Sequence, residues 1–273
     1  MIFLWGLALV WIIFATIQDI RKREIADWLN YSLIIFALAF RLFCCFFGQE
    51  GFSFFYQGLI GFGIFFVLGN IFYYSRLFAG GDSKLLYGLG AVLPIYGTTV
   101  LNLKIFLYFL VLFLIVGSLY GFVGSIVLGV KNRAKVVKEF KEQFRKNKIL
   151  FYCLLVFSII LLFLGFVNVY FAYFGIFVFA FNYLIIYAKA VDEGCMVRKV
   201  NSSQLTEGDW LHEDVKVGKN LVKATWNGLE KKDIGLLRKF KKEVLIRYGI
   251  QFAHVFLISF VIVIILHFCK IWF

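Results

Sequence analysis

Apolar runs of about 20 residues recur along most of this 273-residue chain, and they constrain its fold more than any other feature. A helix of that length crosses the roughly 30 Å of hydrocarbon in a bilayer. The runs are continuously apolar, whereas strands of a membrane barrel alternate over segments of about ten residues. Hydrophobic residues make up 62% of the chain, against about 45–50% in soluble domains. The sequence therefore predicts an all-α polytopic membrane protein.

We predict about eight transmembrane helices in the lipid bilayer. Their approximate bounds are 2–18, 28–47, 53–75, 84–99, 104–130, 149–166, 168–190 and 249–269. The stretch 149–190 is too long for one crossing, so we expect a turn between Gly165 and Asn168. The span 84–99 is short and contains Pro94, which predicts that it tilts or enters only part of the bilayer.

The positive charges predict the orientation of these spans in the plasma membrane. With the N-terminus outside, the inner segments are 19–27, 76–84, 131–148 and 189–248. They hold three, two, eight and thirteen of the 29 Lys and Arg residues, which leaves Arg41, Lys104 and Lys270 for the outer side. Lys and Arg collect in cytoplasmic loops, so we expect both termini outside. Topology and anionic headgroups then explain the net charge of +13, and no nucleic acid partner is expected.

The predicted domains are a membrane-embedded core over 1–190, a small cytoplasmic α+β domain over 191–248 and a last transmembrane helix within 249–273. Within the core, 131–148 is predicted to be a basic helix at the headgroups. The cytoplasmic domain contains two strand-like runs, Cys195–Val200 and Trp210–Val217. A helix-like run follows from about Leu229 to Val244, opened by Asn227 and Gly228.

Two aspartates stand at the inner ends of apolar spans. Asp19 ends the first span, and Asp82 precedes the fourth. Ionisable residues at a membrane segment are costly and suggest function. Two carboxyls about 3 Å apart cannot both ionise comfortably, so a pair that shares one proton can supply both an acid and a base. The residues alone leave another interpretation open, in which Asp82 caps the following helix and Asp19 balances the adjacent basic residues.

The neighbours of these aspartates are further candidates for the site. Gly80 and Gly81 would let a substrate backbone approach closely. Lys84 could contact substrate or a carboxylate, or could simply extend to the headgroups. Asp27 is a possible rival of Asp19, although a capping or orienting role at the second span fits it better.

The sequence predicts no metal site and no cofactor. His212, His254 and His267 are dispersed and lack the spacing of metal ligands. The five cysteines contain no Cys-x-x-Cys pair. Gly58, Gly61 and Gly63 lie in an apolar span, where small residues are typical of close helix packing rather than of phosphate binding.

The stretch from Ala79 to Lys84 resembles the Gly-x-Gly-Asp motif of type IV prepilin peptidases, which are intramembrane aspartyl proteases. Asp19 followed by a basic stretch and Ile25-Ala26-Asp27 is similar to that family's first motif, and Gly81-Asp82-Ser83-Lys84-Leu85-Leu86 to its second. Leu205–Asp214 and the segments Gly228–Leu229, Ile234–Arg238 and Gly249–Phe252 resemble the C-terminal part of archaeal prepilin and preflagellin peptidases.

The resemblance implies an endopeptidase that removes a short basic leader from prepilin-like or preflagellin-like precursors. Asp19 and Asp82 would be its catalytic residues. Gly80, Gly81, Lys84 and Asp27 would line the site or bind substrate. The cysteine-bearing domain that accompanies N-methylation in bacterial relatives is absent here, so no methyltransferase activity is expected. The chain departs from the pattern at Ala79, at Ala26, and at Gln251 and His254, where proline is frequent.

Other function classes remain as alternatives. A proton- or cation-coupled transporter would use intramembrane carboxylates, and it predicts acidic residues near mid-span and internal repeats. A non-catalytic scaffold predicts that both aspartates tolerate alanine. A presenilin-like protease would carry a late Pro-Ala-Leu motif, but the single proline of the chain is Pro94.

Overall fold

The computed structural model describes residues 2–48, 50–75, 77–96, 98–218, 220–225, 228–239 and 243–269. Across these residues the chain forms ten α-helices and five short strands. The helices are α1 (Ile2–Lys22), α2 (Asp27–Phe47), α3 (Phe52–Tyr74), α4 (Gly80–Val92), α5 (Thr99–Lys131), α6 (Arg133–Lys146), α7 (Lys148–Leu164), α8 (Val169–Val191), α9 (Lys231–Lys239) and α10 (Ala253–Phe268). The strands are β1 (Val197–Asn201), β2 (Trp210–Leu211), β3 (Val215–Val217), β4 (Asn220–Val222) and β5 (Glu243–Arg247).

Among the described helices, α1, α2, α3, α5 and α8 are long and apolar enough to cross a membrane. Helices α6 and α7 pass the same test only together, and they meet at an angle of 81°. The fourth predicted span corresponds to α4, which has only 13 residues, and the last to α10, which has 16. A mostly helical, multi-pass protein is thus confirmed, but the predicted number of about eight spans is not.

Packing divides the chain into two compact units. The first contains Met1–Gly121 and Ile250–Phe273, and the second contains Phe122–Gly249. The predicted boundaries near residues 190 and 248 have another basis, since they separate membrane segments from water-soluble ones and do not describe packing. They therefore stay a prediction, and residues 270–273 at the end of the last predicted domain lie outside the described part of the chain.

Phenylalanine rings and glycines hold the helices of the first unit together. The Phe65 ring lies 5.2 Å from that of Phe106, and the Phe113 ring lies 4.6 Å from that of Phe256, between centroids. Helices α3 and α4 approach so closely that a Cβ atom on Gly90 would lie 2.5 Å from the carbonyl oxygen of Gly61. Glycine is needed there because any side chain would separate the two backbones.

Arg41, in α2, is fully buried at the end of α4. Its guanidinium donates to the carbonyl oxygens of Ala91 at 2.9 Å, Val92 at 3.2 Å and Phe54 at 2.9 Å, and also to that of Pro94. The last carbonyls of a helix have no partner within it, and a cation there is favoured by the helix dipole. From the charge distribution, Arg41 was expected on the outer side of the membrane. Its hydrogen-bond partners are backbone carbonyls.

Asn102 organises the irregular segment that follows α4. Its Oδ1 accepts the backbone N–H groups of Ile95 at 3.1 Å and Tyr96 at 3.0 Å. Its Nδ2 donates to Gln57 Oε1 at 3.0 Å and to the Tyr96 carbonyl at 2.8 Å. Non-helical backbone at membrane depth is tolerated only where protein satisfies its polar groups. This network explains how the break at Pro94 is accommodated.

In the second unit, α7 and α8 form an antiparallel hairpin whose turn lies where the sequence predicted it. α7 ends at Leu164, and the Asn168 side chain caps α8 by accepting the Tyr170 N–H at 3.0 Å. The basic segment 131–148 contains α6, as expected for a helix there.

The small sheets of the second unit are antiparallel. β5 lies between β1 and β2, and β3 pairs with β4. One expectation was wrong, because the helix-like run to Val244 ends earlier, at Lys239 in α9. Val244 instead belongs to β5, opposite Val200, and Val244 and Ile246 are buried in alternation. That period of two is typical of a strand with one buried face. Asn227 and residues 240–242 lie outside the described residues.

Replacing Gly58 by Ala should destabilise the first unit. The new Cβ would collide with the Arg41 side chain, and overpacking of this kind costs about 1–3 kcal/mol. Gly63→Ala is the matched control in the same helix, because a Cβ there meets nothing within 4 Å. The free energy of unfolding in detergent checks this, and equal stability of the two variants would contradict it.

Candidate functional site

Asp19 and Asp82 come together in the first unit. Asp19 lies in the last turn of α1 with 6% of its surface exposed. Asp82 lies half-buried in the first turn of α4. The Asp19 charge acts on the Asp82 carboxyl, so the two side chains are within electrostatic range of each other. The two carboxyls are 63 positions apart in sequence, and like charges within such range oppose each other's ionisation.

Asp19 is held by the start of α10. Its Oδ2 accepts the backbone N–H of Ala253 at 3.0 Å and lies beside that of Phe252. The first N–H groups of a helix have no partner within it, and the helix dipole favours a negative group there. Asp19 therefore supplies an acceptor to α10 although it belongs to α1.

Gln251 makes the opposite contact. Its Nε2 donates to the carbonyl oxygens of Asp19 at 3.2 Å and Ile20 at 3.0 Å, in the last turn of α1. Arg23 then turns the chain with φ 58°, in the left-handed conformation that often ends a helix. The sequence analysis noted Gln251 only as a departure from proline, because nothing in a linear sequence indicates that residues 19 and 251 meet.

The loop before Asp82 packs tightly at one glycine and loosely at the other. A Cβ on Gly81 would lie 3.1 Å from Ile25 Cβ and 3.3 Å from the Ile25 carbonyl oxygen. For a Cβ on Gly80, the nearest atom would be in the Tyr73 ring, at a distance of 3.9 Å. Close approach of α4 to the segment before α2 thus requires a small residue at Gly81 only.

Asn30 is a site residue that the sequence analysis missed. It is fully buried, and its Nδ2 donates to the Gly81 carbonyl at 3.1 Å. Its Oδ1 has no hydrogen-bond partner among the described residues. A polar residue on an otherwise apolar helix was the available signal, but its partner 51 positions away could not be identified from sequence.

The Asp82 carboxylate also lies near the backbone N–H of Ala79, the residue that precedes α4. An acidic residue in the first turn that reaches back in this way forms half of a capping box. The capping interpretation and the pairing with Asp19 are therefore compatible.

Lys84 and Asp27 pair with each other. Lys84 Nζ lies 2.5 Å from Asp27 Oδ1, and the two side chains are 27% and 61% exposed. Lys84 also lies over the Tyr31 ring, 5.6 Å from its centroid. Asp27 is the first residue of α2, whose N-cap is Ala26 without a side-chain hydrogen bond. The expected capping of α2 by Asp27 is not seen, because its carboxylate is engaged by Lys84.

His254 and Tyr120 border the Asp19 side of the site. Their rings stack with centroids 5.8 Å apart and an interplanar angle of 21°. Both are within electrostatic range of the Asp19 carboxylate. His254 Nδ1 is buried without a hydrogen-bond partner in the described part of the chain. From the sequence, His254 was judged unsuitable as a metal ligand, and its position near an aspartate was not predicted.

The arrangement can perform acid–base chemistry. One carboxylate can take a proton from water while a neighbouring carboxylic acid donates one to a reacting oxygen or nitrogen. No group of three or more His, Cys, Asp or Glu side chains that could hold a metal ion occurs among the described residues.

Comparison with known proteins links the chain to one family. Residues 6–126 match the model of the type IV leader peptidase family. A preflagellin peptidase of Methanocaldococcus jannaschii is 35% identical over 85 residues, which cover 31% of this chain and 36% of that protein. A preflagellin peptidase of Methanococcus maripaludis is 32% identical over 149 residues, or 50% of this chain and 64% of that protein.

A preflagellin peptidase of Methanococcus voltae is 28% identical over 92 residues, or 34% of this chain and 39% of that protein. The chain thus spans less than two thirds of the length of each of these relatives. No solved structure matches the chain.

Replacing Gly81 by Ala should destabilise the protein more than replacing Gly80. The Gly81 substituent must push against Ile25, whereas a methyl group on Gly80 has room. We expect a loss of about 1–3 kcal/mol for Gly81→Ala and a change within about 0.5 kcal/mol for Gly80→Ala. Thermal unfolding in detergent distinguishes the two, and a reversed order would show that the close approach at Gly81 is misassigned.

Proposed function

We propose that this protein is a membrane aspartyl endopeptidase, because residues 6–126 match the model of the type IV leader peptidase family. Its substrates are prepilin-like or preflagellin-like precursors, from which it removes a short basic leader peptide. The observation that carries the proposal is the proximity of Asp19, in the last turn of α1, to Asp82, in the first turn of α4. The similarity to preflagellin peptidases of three methanogens supports the substrate class.

In the proposed reaction, the two aspartates share one proton and hold one water molecule between them. The ionised carboxylate removes a proton from this water as its oxygen bonds to the scissile carbonyl carbon, while the protonated carboxyl gives its proton to the carbonyl oxygen. The tetrahedral intermediate then collapses. The carbonyl re-forms as one hydroxyl of the intermediate gives its proton to the ionised aspartate. The C–N bond breaks and the leaving nitrogen takes a proton from the protonated aspartate, so the dyad again holds one proton.

The site suits a junction between a basic leader and an apolar helix. Lys and Arg distribution places the end of α1 and the start of α4 at the cytoplasmic surface, with the N-terminus outside. A leader that stays in the cytoplasm would then meet the dyad where its hydrophobic segment enters the bilayer. The same charge distribution assigns residues 191–248 to the cytoplasm.

The residues around the dyad have supporting roles in this proposal. Gly80 has open space beside it and would border the bound substrate backbone. Gly81 brings α4 against Ile25 and so sets the position of Asp82. Lys84 and Asp27 form an ion pair at the exposed rim, where they would contact polar groups of the substrate.

The positions of the aspartates within their helices favour a peptidase over a transporter. A coupled transporter is expected to carry its ionisable residues near mid-span. Asp19 and Asp82 instead lie in the last turn of α1 and the first turn of α4. Such positions suit a reaction that needs water and an incoming polypeptide.

Asp19→Asn and Asp82→Asn should each abolish cleavage of a co-expressed precursor. An amide can neither accept the proton of the attacking water nor carry the shared proton, and loss of acid–base catalysis lowers rates by at least about 100-fold. Cleavage is measured as the shift of the precursor band with time, at equal amounts of folded membrane protein.

Glu24→Gln is the control, because Glu24 is an exposed carboxylate just beyond α1. It should cleave at the wild-type rate. Normal cleavage by either aspartate variant would exclude the dyad, and absence of cleavage by the wild-type protein would exclude the proposed substrates.

A further inference from the structure

The end of α1 and the start of α10 exchange hydrogen bonds between side chains and backbone groups, and we call this contact the reciprocal cap. It consists of Asp19, Gln251 and Ala253. The Asp19 carboxylate accepts the Ala253 N–H at 3.0 Å. The Gln251 amide donates to the carbonyl oxygens of Asp19 and Ile20 at 3.2 and 3.0 Å. The C-terminal end of α1 is thereby joined to the N-terminal end of α10 by the Asp19 side chain from one side and the Gln251 side chain from the other.

Buried surroundings make the hydrogen bond between Asp19 and Ala253 consequential. Asp19 is 6% exposed and Ala253 is fully buried, so water cannot readily replace a lost partner. A buried donor or acceptor without a partner costs about 1–3 kcal/mol. Thr16 adds a further link, since its hydroxyl contacts the Ala253 carbonyl at 3.4 Å. The first turn of α10 is therefore held against the last turn of α1 at the level of Asp19.

The reciprocal cap also distinguishes the two oxygens of Asp19. Oδ2 is the acceptor for the Ala253 N–H, so this contact restricts rotation of the Asp19 carboxylate. A carboxylate that is free to rotate would present either oxygen. Catalytic groups need their geometry held closely, because a displacement of about 1 Å can cost on the order of 100-fold in rate.

We propose that Gln251 is a positioning residue that sets the orientation of the Asp19 carboxylate by fixing α10 to the end of α1. It does not touch the substrate, and its effect passes through the Ala253 N–H. This role rests on the proposed peptidase function. The family match ends at residue 126, so neither Gln251 nor α10 belongs to the matched segment.

Gln251→Met tests the proposal, because methionine has similar length and shape but cannot donate a hydrogen bond. We expect kcat for precursor cleavage to fall about tenfold to 100-fold, while KM stays within about twofold because substrate contacts are unchanged. The exposed Gln204 provides a matched control. Gln204→Met makes the same chemical change and should leave both constants at wild-type values.

Gln251→Lys is a second variant that retains a donor for the carbonyls at the end of α1. It should keep kcat closer to the wild-type value than Gln251→Met does. If Gln251→Met does not fold, Gln251→Lys tests the proposal instead. A folded Gln251→Lys protein whose kcat is as low as about 1% of the wild-type value would overturn it.

Hydrogen–deuterium exchange gives a readout that does not depend on activity. The Ala253 amide should exchange faster in Gln251→Met than in the wild type or in Gln204→Met. Unchanged exchange, or wild-type kcat in folded Gln251→Met, would overturn the positioning role. Failure of the wild-type protein to cleave any precursor would instead overturn the proposed function, and the exchange result would still decide whether Gln251 holds α10 in place.

Discussion

The short helix α4 begins and ends inside an apolar bundle, and the first unit depends on satisfying the backbone groups at those two ends. At the start, the Asp82 carboxylate lies near the Ala79 N–H, and Asn30 donates to the Gly81 carbonyl in the first turn. At the end, Arg41 binds the Ala91 and Val92 carbonyls. In hydrocarbon an unsatisfied backbone group costs several kcal/mol. The buried polar side chains of α2 are therefore what allow a 13-residue helix to be held between longer ones, and Asp82 takes its position from that helix.

The same physical requirement shapes the other half of the site. Asp19 satisfies an N–H at the start of α10, and Gln251 satisfies carbonyls at the end of α1. Both aspartates consequently lie at helix ends, where backbone dipoles and side chains can orient them, rather than in the middle of long apolar helices. A pair built in this way is partly shielded from water and yet lies near the chain segments that connect the helices, which suits the proposed hydrolysis of a peptide.

Local patterns predicted the elements that stand alone in sequence. The helix within 131–148 and the strand near Cys195–Val200 are present, because composition and periodicity act over a few positions. The turn between Gly165 and Asn168 is also present, and it was expected because the stretch 149–190 is too long for one crossing. The helix predicted to continue to Val244 was wrong, since pairing of Val244 with Val200 across the sheet decides that segment. The number of spans is likewise unconfirmed, because α4 and α10 are too short to be identified as crossings by length.

The sequence by itself determined that this is a helical membrane protein, and it marked Asp19, Asp82 and the flanking glycines as candidates through their motifs. Only the tertiary structure decided the partners of those residues. Lys84 binds Asp27 instead of Asp19 or Asp82, Asn30 donates to the Gly81 carbonyl, and the Ala253 N–H of α10 holds Asp19. The sequence could not identify these partners, because hydropathy and charge patterns describe each segment separately. Hydrogen bonds between helix ends depend on which ends the packed bundle brings together.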